Sequence, residues 1–225
     1  MKRHFSFIAI ALLLAATLFA LGAIIFGHQP VEAPAPAPEE PLLSEGESIY
    51  ANGEYGFLLQ YPGSAVVEET FIEDGYTPVL WRAGALTDTK GTPVVSIRTH
   101  RTASETSYPR YYTTLVRVGV SEDAKEVERC LKAANGEIAL PDVIIGGVSF
   151  KAFSFGDAGM MRYLKSESYR VVQDGKCVAL EKIAAGSSYK EETSPKDLSE
   201  EFLAEQFAAL DTIIGSFRLV APQPS

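Results

Sequence analysis

The sequence predicts an α+β domain, a single antiparallel sheet with helices packed on it, behind an N-terminal transmembrane or signal helix. Three observations predict it. An uncharged run from Phe5 to Gly27 opens the chain, strand-like runs follow one another with turn residues between them, and two later stretches repeat their apolar residues at helical spacing. The expected organisation is a signal anchor or signal peptide over 1–28, a Pro/Ala/Glu-rich linker over 29–48, one folded domain over 49–220 and a short disordered tail over 221–225.

The apolar run sits behind Met1-Lys2-Arg3-His4 and would be about 35 Å long as a helix, enough to span hydrocarbon. Signal peptides usually carry a shorter apolar region, so the reading favours an uncleaved signal anchor over a cleaved signal. No Lys or Arg stands between His4 and Arg82, which places the N-terminus in the cytoplasm and the rest outside. From Gln29 to Ser48 the composition favours polyproline II, a semi-rigid spacer that could reach roughly 60 Å.

The formal net charge is −9, and removing Lys2 and Arg3 leaves 18 basic against 29 acidic residues. Such acidity argues against nucleic acid and against electrostatic binding to anionic lipid. With 46% hydrophobic and 10% aromatic residues the remainder can build a sizeable core.

Within the domain, Tyr50 to Pro62 alternates Phe57, Leu59 and Tyr61 as a half-buried strand would, and stops at proline. The pattern Tyr50-x-Asn52-x-Glu54-Tyr55-Gly56-Phe57-x-Leu59-x-Tyr61-Pro62 resembles the opening strand of PsbP-like domains, a fold shared with many bacterial envelope proteins. Ile213 to Leu219 is similar to that group's closing helix-to-strand element. The resemblance implies an α/β/α sandwich and an envelope location. It carries over no manganese, calcium or chloride site, and no cofactor is expected.

Val66 to Ile72, Pro78 to Ala83 and Pro93 to His100 read as three strands, divided by Asp74-Gly75 and Lys90-Gly91. Trp81, the single tryptophan, belongs in the core. Tyr111 to Val120 is a fourth long strand. Ser121 can cap a helix from Glu122 to Ala134, with Val127, Cys130, Leu131 and Ala134 on the stripe that faces the sheet. Val143 to Ile145 and Val148 to Phe155 form two strands about Gly146-Gly147.

The centre of the domain is the hairpin Tyr169 to Ala184, turned at Asp174-Gly175, a pair suited to a type I′ turn. Counting outward sets Val171 opposite Val178, Tyr169 opposite Leu180 and Glu167 opposite Lys182. The other face takes Val172 with Cys177 and Arg170 with Ala179. Ser194-Pro195 opens the last helix, where Leu203, Phe207, Leu210 and Ile214 recur about once per turn. Gly215 ends it before the strand Phe217 to Leu219.

Cys130 and Cys177, the two cysteines of an exported domain, suggest a disulfide, against two free core thiols or a redox cysteine. Without a C-x-x-C and with Glu128 and Arg129 offsetting each other, nothing activates a thiolate. His100 is the one histidine after the linker, which excludes a zinc site built on several histidines. A catalytic triad would need His100 with a serine and a carboxylate, yet no G-x-S-x-G occurs. Ser187-x-x-Lys190 matches S-x-x-K without its accompanying motifs. The neighbouring acidic pairs Glu68-Glu69, Glu73-Asp74 and Glu191-Glu192 point to opposite faces in a strand, unsuited to paired acid–base work. Tyr108, Arg110, Tyr111 and Tyr112 form a candidate recognition surface, since aromatics and arginine are what binding hot spots use. No catalytic, cofactor or metal residue is assigned.

These observations favour a membrane-tethered extracytoplasmic binding or assembly module, non-catalytic, with an envelope protein as the candidate partner. An envelope hydrolase with an unrecognised site would show His100 clustered with a serine and a carboxylate in a deep cleft. A small-ligand sensor or carrier would show a closed apolar pocket.

Overall fold

The computed structural model describes residues 46–72, 75–85, 88–101, 111–187 and 198–220. The anchor segment, most of the linker, the tail, Tyr108, Arg110, the acidic pairs Glu73-Asp74 and Glu191-Glu192, Lys190 and Ser194-Pro195 lie outside them. Among the described residues no helix is long and apolar enough to cross a membrane.

The described residues form ten strands and two helices, in the order β1 (Glu47–Asn52), β2 (Phe57–Pro62), β3 (Val66–Glu68), β4 (Thr92–Arg101), β5 (Tyr112–Ser121), α1 (Ala124–Arg129), β6 (Glu137–Ile145), β7 (Val148–Gly159), β8 (Arg162–Gln173), β9 (Lys176–Ser187), α2 (Glu200–Ser216) and β10 (Arg218–Leu219). The α+β class holds, with mostly antiparallel sheet and two helices. The expectation of one sheet does not. β1, β2 and β10 form a small sheet in the order β1-β2-β10, and the other strands form a seven-stranded sheet in the order β3-β4-β5-β9-β8-β7-β6. The cause is a break in the run that reads as a single strand from Tyr50 to Pro62. Asn52 Oδ1 accepts the Tyr55 N–H at 2.9 Å and Gly56 takes φ 65°, so the chain folds back and pairs Asn52 with Phe57. β1 therefore begins at Glu47, inside the segment read as linker.

The central hairpin forms in the expected register: Val171 pairs Val178, Tyr169 pairs Leu180, Glu167 pairs Lys182, and Val172 pairs Cys177. Asp174 and Gly175 take φ 50° and 74°, as the turn requires. β5 and β9 lie side by side in the middle of the sheet, and every residue of β5 is buried. Their runs of valine, isoleucine and threonine suit strands covered on both faces.

One face of the large sheet packs on the small sheet and α2. Val95, Val118, Leu180 and Phe150 meet Phe57, Leu210, Ile213 and Phe217 there in one cluster. Ser199 caps α2 by accepting the Phe202 N–H at 3.1 Å, and the helix runs one residue past Gly215. The opposite face carries α1 and the segments 75–85 and 88–91, with Trp81, Cys130, Cys177 and Ala179 in a second cluster.

Two expected elements are corrected here. Pro78 to Ala83 makes no strand, because side chains rather than a neighbouring strand satisfy its backbone: Arg117 donates to the Pro78 and Leu80 carbonyls and Glu181 accepts the Ala83 N–H. The first helix covers 124–129 instead of 122–134. Asp123, not Ser121, caps it: Asp123 Oδ1 accepts the Lys125 and Glu126 N–H groups at 3.0 and 3.4 Å, while the Ser121 hydroxyl accepts the Asp123 N–H at 3.3 Å and donates to the Lys90 carbonyl. Beyond Cys130, Arg170 takes the Lys132 carbonyl and Glu137 takes the Ala134 N–H, which removes the groups another helical turn would need.

Candidate functional site

The register of the sheet lines up a polar row on its outer face. Ser96 pairs with Arg117, Arg117 with Glu181 and Glu181 with Ser168, so their side chains cross four strands side by side. All four are nearly inaccessible to solvent. Buried polar groups must find partners, and these find one another and the segment above them. Arg117 Nε donates to Ser96 Oγ at 3.1 Å, Ser168 donates to Glu181 at 2.5 Å and accepts from Arg170 Nε at 2.8 Å. Arg170 also pairs with Glu137, and Arg82 reaches the same Glu137 oxygen at 3.0 Å. Burial pushes the Glu181 carboxyl above its ordinary value; Arg170, Ser168 and the Ala83 amide act against that. Arg82 is lowered by burial first and by neighbouring Arg170 second.

Trp81 fixes the segment 75–85 in place. A Cβ at Gly119 would stand 1.8 Å from the Trp81 carbonyl oxygen, and one at Gly91 would stand 2.4 Å from the indole. Only glycine leaves that seat open. The Cys130–Cys177 disulfide, predicted from the sequence, lies beside the indole.

Between this held segment and the far ends of β7 and β8 opens a cleft of about 510 Å³. Tyr76, Pro78 and Leu80 form one wall, Phe155 and Leu164 the other, with Asp157, Met160 and Arg162 at the rim. Its size falls within the range of ligand sites, but it is open along one side rather than closed. At its end four side chains stack. Arg162 lies 5.1 Å from the centre of Tyr76, the Tyr76 and Tyr111 rings are 4.2 Å apart, and Arg101 lies 5.8 Å from Tyr111. Arg162 also donates to the Gly75 carbonyl.

Tyr111, from the expected recognition surface, thus belongs to this stack. Tyr112 does not reach the surface: it is 1% exposed, its ring is in the inner core, and its hydroxyl donates to the Leu203 carbonyl at 3.3 Å. Tyr111 stands just ahead of β5 and Tyr112 opens it, and adjacent residues of an extended chain face opposite sides. Burial also raises the Tyr112 hydroxyl well above its usual value.

His100 packs between Tyr112 and Phe202, with ring centres 5.6 and 5.7 Å away, and its Nε2 has no hydrogen-bond partner. Burial holds its pKa below the ordinary histidine value. Glu68 pairs with Arg98 at 2.9 Å, while Glu69, just past β3, accepts from Tyr50. Among the described residues no group of three or more His, Cys, Asp or Glu could hold a metal.

The buried row was visible in part. Glu181 and Lys182 interrupt an apolar strand, and the alternation that puts Cys177 on the outer face puts Arg170 and Glu181 there too. What no local pattern shows is that the segment 75–85 folds over this face. The cleft depends on that long-range closure.

No family model matches the chain, and no curated protein matches it in sequence. Solved structures give distant likenesses. The solution structure of cyanobacterial PsbP (CyanoP) from Synechocystis is 12% identical, covering 81% of this chain and 99% of that chain, with a TM-score of 0.38. The crystal structure of LpqN, involved in cell envelope biogenesis of Mycobacterium tuberculosis, is 15% identical, covering 77% of this chain and 90% of that chain, with a TM-score of 0.32.

Proposed function

We propose that this protein is an extracytoplasmic binding module, held to the membrane by its N-terminal apolar segment and recognising an envelope protein through the open cleft between 75–85 and the β7–β8 end. The observation that carries the reading is the cleft's composition. Tyrosine, arginine and methionine, the residue types enriched where proteins bind one another, converge on one end of an otherwise acidic domain. The apolar segment, the Pro-rich linker and the cystine support the location. The fold serves this function by rigidity: the charged row and Trp81 hold one wall of the cleft, and two twelve-residue strands hold the other.

Affinity capture of the full-length protein from gently solubilised native membranes tests it, beside a variant carrying Asp157→Lys and Arg162→Glu at the cleft rim. A stoichiometric partner kept by the native chain and lost by the variant is expected. Equal capture by both, or none by either, would sink the reading.

A further inference from the structure

Among the described residues three two-residue turns have both central φ angles positive: Gly146-Gly147 at 58° and 81°, Asp174-Gly175 at 50° and 74°, and Met160-Met161 at 47° and 61°. Glycine meets that geometry without steric cost, and aspartate is tolerated there because its short polar side chain can hydrogen-bond locally. Methionine does not, because its Cβ crowds the backbone in the left-handed region. The two methionines are also 94% and 63% exposed. The third turn thus combines backbone strain with apolar exposure, and strain of this kind marks positions kept for something other than stability.

Its place in the sheet says what it meets. β4 ends at Arg101, β9 ends at Ser187 opposite Arg162, and Met160-Met161 closes the same end of the sheet. The chain enters from that end too. β3 starts at Val66 opposite Arg98 and runs away toward Ser96, so Pro62 to Ala65 approach from the Arg101 side. Gly46, where the described chain begins, accepts a hydrogen bond from the Gly63 N–H at 2.7 Å. The 45 residues before it hold the apolar run and the Pro-rich linker. The turns at Gly146-Gly147 and Asp174-Gly175 close the opposite end.

We propose that the Met160-Met161 turn is a membrane-contact tip, which lowers two thioether side chains into the interface of the bilayer in which the same chain is anchored. Arg162 and Arg101 stand on this end of the domain, where guanidinium groups can lie among lipid phosphates while Tyr76 and Tyr111 take the interfacial level usual for aromatic residues. Two methionines alone make a weak anchor. The tether changes that, because it turns a second binding event into an intramolecular one. The inference rests on the anchoring reading above.

The chain has three methionines, Met1, Met160 and Met161, so methyl-labelled methionine reports on the tip directly. Full-length protein in neutral phosphatidylcholine nanodiscs is compared with and without a nitroxide-bearing lipid, and with a water-soluble paramagnetic chelate. A Gln173→Met variant gives a reporter at the opposite end. The tip methyls are expected to lose most of their signal to the lipid-borne nitroxide and little to the chelate, with Met at 173 doing the reverse. Protein that stays with the nanodisc while its tip methyls respond only to the chelate overturns this inference and leaves anchoring intact. Protein that leaves the nanodisc overturns anchoring, and the tip with it.

Discussion

On its inner face the seven-stranded sheet meets α2 and the small sheet through Val95, Val118, Leu180, Leu210 and Phe217, while on its outer face Arg117, Glu181, Ser168 and Arg170 meet a segment with no regular structure. Both faces are buried, and the difference lies in how each specifies its cover. Apolar contact is non-directional, so the inner face needs a helix whose stripe matches the sheet. Directional hydrogen bonds can hold an irregular backbone at set points, and they do so at Pro78, Leu80 and Ala83. An outer face built this way can shape a cleft, because its cover need not follow the sheet.

The strongest way to break the outer face is to fill the seat under Trp81. Gly119→Ala should cost over about 4 kcal/mol or prevent folding, since its Cβ would meet a backbone oxygen that has no room to move; urea unfolding followed by circular dichroism reads this. Next comes the cystine. Replacing Cys130 and Cys177 together with serine should lower stability by about 4 kcal/mol, the chain-entropy value for this loop, measured against the oxidised protein without reductant.

Removing one charge of the row should cost about 3 kcal/mol, because Arg170→Met leaves Glu137 buried with its closest cation gone. A double variant that also carries Glu137→Met should recover much of that loss. If the double variant is as unstable as the sum of two singles, the row is not held by mutual pairing.

The pH dependence sharpens the comparison further. The Glu181 pKa is raised in the folded state by burial, so the folded protein binds that proton more tightly than the unfolded chain. Its ionisation therefore costs stability as pH rises from about 4.5, the ordinary value, through the raised one. Glu181→Gln should gain stability relative to the native protein over that rise and lose the advantage below it. A urea-midpoint difference that stays flat with pH would contradict the assignment. The smallest effect belongs to the tip, where Met160→Asn with Met161→Gly should add about 1 kcal/mol by relieving the turn.

How far the sequence could be read follows from the same contrast. The inner face was legible because alternation and helical spacing encode apolar burial locally: Leu210 and Ile214 fall on the buried stripe of α2, and the central hairpin keeps its counted register. The cystine was legible because two separate elements each turned a cysteine inward. The outer face was hidden in part because Arg117 and Arg170 look like solvent-facing residues until Pro78 and Leu80 meet the first and Lys132 and Glu137 the second. Tyr111 and Tyr112 show the limit at residue scale: one composition cue covered both, and strand alternation sent one to the cleft and the other to the core.

The cleft is where the whole account meets function, and a photo-crosslinking residue in its wall tests it in the native envelope. Full-length protein would carry the crosslinker at Leu80 or, as a control, at Gln173 on the opposite end. A single discrete protein adduct from position 80 and none from 173 is the predicted result. No adduct from position 80, or the same adducts from both positions, would contradict the claim that this end of the domain recognises a partner.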